Sequence, residues 1–132
     1  MAFSSASDGR NGASSPFLKQ VFTEDGLVSA DRISDLLKVS KKELAAANGM
    51  SRDALSKSNR LRSQATQSRL RSLVEILNRV LPWAGSPMMA WAWYRSEGLP
   101  GFGGLTAQQL VQEGRAEAVM KYLDAIAEGG FA

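Results

Sequence analysis

The chain has 132 residues, 44% of them hydrophobic and 22% charged, which suits one ordinary globular domain or two very small ones sharing a core. It contains neither Cys nor His, so a disulfide framework, a thiol nucleophile and a thiolate metal site are excluded, and the side chain best suited to metal binding and to proton transfer near neutral pH is missing. The net charge of +3 is uneven, with 12 Lys and Arg against 7 Asp and Glu in residues 1–72, and 4 against 6 in residues 73–132. A binding protein is therefore expected rather than an enzyme, with no cofactor and no metal.

Met1 to Ser15 is rich in Ser, Gly and Ala and lacks the apolar centre of a secretion signal. It reads as a disordered tail, 1–16, on a cytoplasmic protein. No apolar run is long enough to span a membrane. Beyond Pro16, strand signals are nearly absent and helix signals recur, which predicts an all-α fold. Phe17, Val21 and Phe22 suggest a short first helix. Ile33, Leu36 and Leu37 give a second over Asp31–Val39. Ser40 and Glu43 have capping-box spacing and open a helix that Gly49 can end. Ser51 is placed to cap the next one. Leu70, Leu73, Val74, Leu77 and Leu81 form an apolar stripe over Arg69–Leu81, with Pro82 as the expected stop. Ser86-Pro87 starts a helix to about Ser96. Gly98 to Leu105, with four glycines and Pro100, is a loop. Thr106 and Gln109 form a second capping box, Gly114 ends that short helix, and Arg115–Glu128 is the last.

Within the first half, Lys41 to Arg60 fits a helix-turn-helix. Leu44 faces the core, Ala45 is small where helices cross, Gly49 makes the turn, Met50 follows it, and Leu55 pins the second helix. Asn48 departs from the pattern, which calls for an apolar side chain. An ordinary helical hairpin is the other reading of this segment. As a helix-turn-helix, Ser51–Ser58 is the recognition helix. Ser51, Arg52, Ser56 and Lys57 then face the major groove, with Arg52 suited to a bidentate contact to guanine. Lys41, Arg60 and Arg62 would hold phosphates. The basic residues from Arg52 to Arg71, opposed only by Asp53, fit nucleic-acid contact or a solvated charged face.

The second half is aromatic and punctuated by glycine. On a helix Trp91 and Trp93 point roughly 200° apart, so one packs inward and the other lies near an additional surface, or both are buried in a bundle. The glycine loop is not a phosphate cradle, because no strand precedes it and no Lys follows it. Phe131, beyond Gly129-Gly130, either docks into a partner or folds back near Trp91 or Trp93.

Two stretches carry a family resemblance: Val80-Leu81-Pro82-Trp83-Ala84-Gly85-Ser86, and Trp93-Tyr94-Arg95-Ser96 through Leu99-Pro100-Gly101-Phe102-Gly103-Gly104-Leu105-Thr106. The ending, with Val111 to Gly114, Tyr122-Leu123-Asp124 and Gly129 to Ala132, extends it. Over roughly Leu27 to Ala132 the chain resembles the Xre/ParS-type antitoxins that pair with RES-domain toxins. The resemblance implies an Xre-like DNA-binding and dimerisation region, 17–68, and a helical toxin-binding domain, 69–132. It implies a partner that consumes NAD, by degrading it or by transferring ADP-ribose, and an antitoxin that covers the active-site cleft of that partner. It further implies operator DNA as a ligand and a homodimer within a hetero-oligomeric complex. Carried onto this chain, the toxin surface would involve Tyr94, Arg95, Leu99, Phe102, Arg115, Tyr122, Glu128 and Phe131. A stand-alone regulator whose second half only dimerises is the alternative.

Overall fold

The computed structural model describes residues 15–130. Among them all regular structure is helical, and the only β pairing is two isolated bridges, Phe22 with Val28 and Gly98 with Thr106. No helix of the described residues is long and apolar enough to cross a membrane. The helices are α1 (Pro16–Val21), α2 (Ala30–Leu37), α3 (Lys41–Ala47), α4 (Ser58–Leu61), α5 (Gln64–Ala84), α6 (Pro87–Ser96), α7 (Ala107–Gln112) and α8 (Ala116–Ala125), the last followed by a wider turn over Ile126–Gly130.

Cap chemistry sets most of the helix starts. Ser40 accepts from the Glu43 amide at 3.0 Å, Ser86 from the Met89 amide at 3.2 Å, and Thr106 and Gln109 close a full capping box. Each satisfies amides that the first turn leaves without partners. Ser15 does the same for α1 and also donates to Asn78 Oδ1 at 2.9 Å. Ser15 and Pro16 therefore belong to the folded part, which shortens the expected tail; residues 1–14 lie outside the described residues. Gly49 (φ 70) ends α3. Its amide bonds to Ala46 and that of Met50 to Ala45, at 3.2 and 2.9 Å, which is the paired Schellman arrangement.

Two expected boundaries move. Helix α5 begins at Gln64, capped by Ser63, and runs past Pro82 to Ala84. Proline here removes only the amide that would have met the Asn78 carbonyl; it lies exposed in the last turn, and the turn still closes with the Gly85 amide on Leu81 at 2.8 Å. The second correction concerns Ser51–Ser58. It is a run of turns in place of the expected recognition helix. The Ala54 amide bonds to the backbone carbonyl of Ser51 at 3.1 Å, and the Ser51 hydroxyl accepts from Arg60 at 3.4 Å instead of capping. Lys57 then takes an extended conformation (φ −100, ψ 127) before α4 starts.

The long α5 is the spine. It packs on α6 and α8, with α1 and α4 also against it, while α2 packs on α6, and α7 on both α6 and α8. Leu70, Leu73, Val74, Ile76, Leu77 and Val80 are almost fully buried, so the helix is covered on more than the one stripe its leucines suggested. One apolar cluster runs from Phe17 to Leu123 and draws on both halves of the chain. The position between residues 68 and 69, expected as a boundary, lies inside α5. Gln67 fastens the Phe22–Ser29 turn to this spine. Its side chain is buried, accepts from the Val28 amide at 2.8 Å, and donates to the carbonyls of Val28 and Leu61 at 3.2 and 3.0 Å.

Candidate functional site

Asn48, the residue that breaks the apolar pattern, is fully buried. Its Nδ2 donates to the Leu44 carbonyl at 2.8 Å, and its Oδ1 accepts from the Tyr94 hydroxyl at 2.7 Å. The backbone around it is held as well. Arg69 donates to the Asn48 carbonyl at 3.0 Å, and Gln112 donates to that of Ala47 at 3.0 Å. The end of α3 is thus satisfied by side chains from α5, α6 and α7, where a buried helix end would otherwise leave carbonyls unpaired. Burial pushes the Tyr94 phenol well above its ordinary range, with the Arg69 guanidinium opposing.

This geometry corrects two of the expected toxin contacts. Tyr94 is sealed in the core, stacked on Trp91 with ring centroids 5.4 Å apart. Leu99 is buried too, beneath the glycine loop. Both lie behind the surface of the chain and not on it. Trp91 is buried in the core and Trp93 is half-buried against the same core. The Trp91 Nε1 is buried without a hydrogen-bond partner among the described residues.

The loop Gly98–Thr106 is a closed structure. Leu99 donates to the Leu105 carbonyl at 2.9 Å, and the turns within it place Gly101, Gly103 and Gly104 at positive φ. Its tip carries Phe102, which meets Tyr122 of α8 edge-on at 6.1 Å, while the Arg115 guanidinium lies over the Phe102 ring at 5.5 Å. Three of the expected toxin contacts are therefore brought together: an aromatic pair, partly exposed, with a cation on its face. Arg95 is exposed, lies 5.6 Å from the centre of the Trp91 ring and pairs with Glu43 at 3.6 Å. Glu128 is exposed in the last turn. Phe131 lies outside the described residues.

The expected DNA contacts occupy one segment and its flanks. Arg52, Ser56, Lys57 and Arg60 are exposed on the Ser51–Leu61 stretch, which Ala54 and Leu55 anchor into the protein. Arg52 and Lys57 form no ion pair among the described residues, whereas Lys41 pairs with Asp31 at 2.8 Å and Arg62 with Asp25 at 3.6 Å. Of the cations expected at a nucleic-acid surface, Arg52, Lys57 and Arg60 are therefore the ones outside an ion pair among the described residues, Arg60 donating to Ser51. Beside them an open groove of about 470 Å³ follows α5, lined by Arg62, Gln64, Ser68, Arg71 and Glu75 among others. No group of three or more acidic residues among those described could hold a metal ion.

Two features escape a reading of the sequence. One is the role of Asn48: a buried tyrosine needs a partner, but its partner lies 46 residues away in the chain. The other is Met88 and Met89, 49% and 58% exposed at the start of α6, near Trp83 at 37%. Comparison of the chain with protein-family models, with curated proteins and with solved structures returns no match in any of the three.

Proposed function

We propose that this protein is an antitoxin, which binds a RES-domain, NAD-consuming toxin through its second half, occludes the active site of that toxin, and represses its own operon by binding operator DNA through its first half. The observation that carries the reading is the Phe102–Tyr122–Arg115 cluster on its glycine-shaped loop. A partly exposed aromatic pair under an arginine is the side-chain set that most often anchors protein interfaces. Phe102 and Tyr122 fall within the stretches that carry the family resemblance, and Arg115 directly follows one of them. The rigid loop reduces the ordering that docking requires. The basic Arg52–Arg60 segment supports the DNA half of the reading.

The test is reconstitution with the product of the reading frame beside this one, which the proposal requires to be a RES-domain protein. The toxin alone consumes NAD, and an equimolar amount of the chain abolishes that turnover. Phe102→Ala and Tyr122→Ala each weaken the complex by about 2 kcal/mol or more, while the melting temperature changes far less than affinity. A neighbouring toxin that neither binds the chain nor loses activity in its presence refutes the proposal.

A further inference from the structure

The segment between Met50 and Arg62 is a run of turns and a short helix separated by one extended residue. Upstream, the Ala54, Ser56 and Lys57 amides bond to the carbonyls of Ser51, Asp53 and Asp53 at 3.1, 3.2 and 3.2 Å. Downstream, the amides of Leu61 and Arg62 bond to Lys57 and Ser58 at 2.9 and 3.0 Å. Lys57, at ψ 127, is the break. Turning Lys57 into the helical region would let the amides of Ser58, Asn59 and Arg60 reach the carbonyls of Ala54, Leu55 and Ser56, the i to i−4 register of a helix.

The side chains fit that longer helix. At the helical rotation, Ala54, Leu55, Ser58 and Leu61 fall within about 120° of one another. Ala54 and Leu55 are already buried, and Leu61 packs half-buried on the core. Arg52, Ser56 and Arg60 recur at every fourth residue and fall within about 80° on the opposite side. All three are exposed. In the broken form they do not share a common axis.

We infer that Arg52–Leu61 closes into one continuous helix on duplex DNA, so that Arg52, Ser56 and Arg60 enter the major groove as a single face. This rests on the DNA-binding half of the proposed function. A helix fits that groove and a run of turns does not present three side chains to it in register. Helix α4 already exists downstream and the Lys57 amide already reaches the Asp53 carbonyl upstream, so part of the ordering that limits isolated helices has been met.

Ser58→Pro separates the two forms. In the broken form Ser58 is the first residue of α4 and Lys57 before it is already extended, the arrangement proline prefers on both counts. In the continuous helix a proline at that position is interior, where it removes a bond and clashes. The probe is duplex DNA from immediately upstream of the chain's own coding sequence, with single-stranded RNA as competitor. The expected result is that wild type and Ser58→Ala bind the duplex, and that Ser58→Pro keeps its melting temperature but loses about 100-fold in affinity, the factor carried by a helix-interior proline. Amide exchange at Ser58, Asn59 and Arg60 slows in the wild-type complex. Equal binding by Ser58→Pro overturns the helix closure and leaves the DNA reading standing. Wild type that binds no duplex, or that prefers the RNA, overturns both.

Discussion

Lys38 closes α2 at φ 60, and it is the one non-glycine residue at positive φ among those described. A side chain in that region crowds the following carbonyl, so Lys38→Gly raises stability by about 0.5–1 kcal/mol, less what the freer unfolded chain takes back. A shift of the urea midpoint with an unchanged slope checks this. The opposite sign holds at Asn48 and Tyr94. Tyr94→Phe leaves Asn48 Oδ1 buried without its donor, at a cost of about 1–3 kcal/mol, whereas Asn48→Leu with Tyr94→Phe removes both partners and costs much less than the two single changes added. A double-mutant cycle on unfolding free energies measures the difference. Tyr94 also sets an alkaline limit. Its phenol pKa is raised by burial, so the folded state keeps a proton that the unfolded state loses above about pH 10. The stability it contributes is whole below that pH and falls as pH rises further. Tyr94→Phe has a shallower loss of melting temperature between about pH 9.5 and 11 than wild type.

Elements whose ends are marked by local chemistry were legible from the residues. Ser40, Gly49, Ser86, Thr106 and Gly114 each act within a few residues of themselves, and each ends or begins a helix where expected. The misreadings share a different origin. Pro82 was expected to stop α5, but a proline in the last turn costs only a single bond there. Ser51 was expected to cap a helix, but its hydroxyl is taken by Arg60, nine residues on. Local propensity sees neither outcome. The glycine loop supplies a prediction at this scale. A Cβ on Gly98 would lie 2.8 Å from the Gly104 carbonyl oxygen, which is backbone and cannot turn aside. Gly98→Ala is therefore expected to open the loop and displace Phe102 from Tyr122 and, on the proposed function, to lower affinity for the toxin more than it lowers the melting temperature. Titration calorimetry beside thermal unfolding reads the two effects; equal affinity would show that Phe102 is not held by the loop.

At the scale of the whole molecule, the uneven charge was plain in the sequence, and so was the helical class. The boundary expected between residues 68 and 69 was misplaced, because the sequence suggests two jobs and α5 serves both halves. Of the expected toxin contacts, Phe102, Arg115 and Tyr122 converge, while Tyr94 and Leu99 are buried. Aromatic residues are equally at home in a core and at an interface, so composition alone could not sort them. The two surfaces are expected to act independently despite the common core. Arg52→Ala weakens duplex binding and lowers the steepness of its salt dependence by about one unit in the log–log slope. The same variant leaves the toxin complex unchanged, and a loss there would mean that the basic segment also meets the toxin.

The corner at Ala47–Asn48 draws its closing bonds from Arg69, Tyr94 and Gln112. During synthesis these donors arrive in that order, the last of them 65 residues after Ala47. At ribosomal speeds of about 5–20 residues per second, the helix end waits roughly 3–13 s for its final donor. Until then its carbonyls can be served only by water, and the core beneath stays open. A chain cut inside the glycine loop lacks the Gln112 donor, so it is expected to be digested faster than the full chain, which limited proteolysis of the two measures.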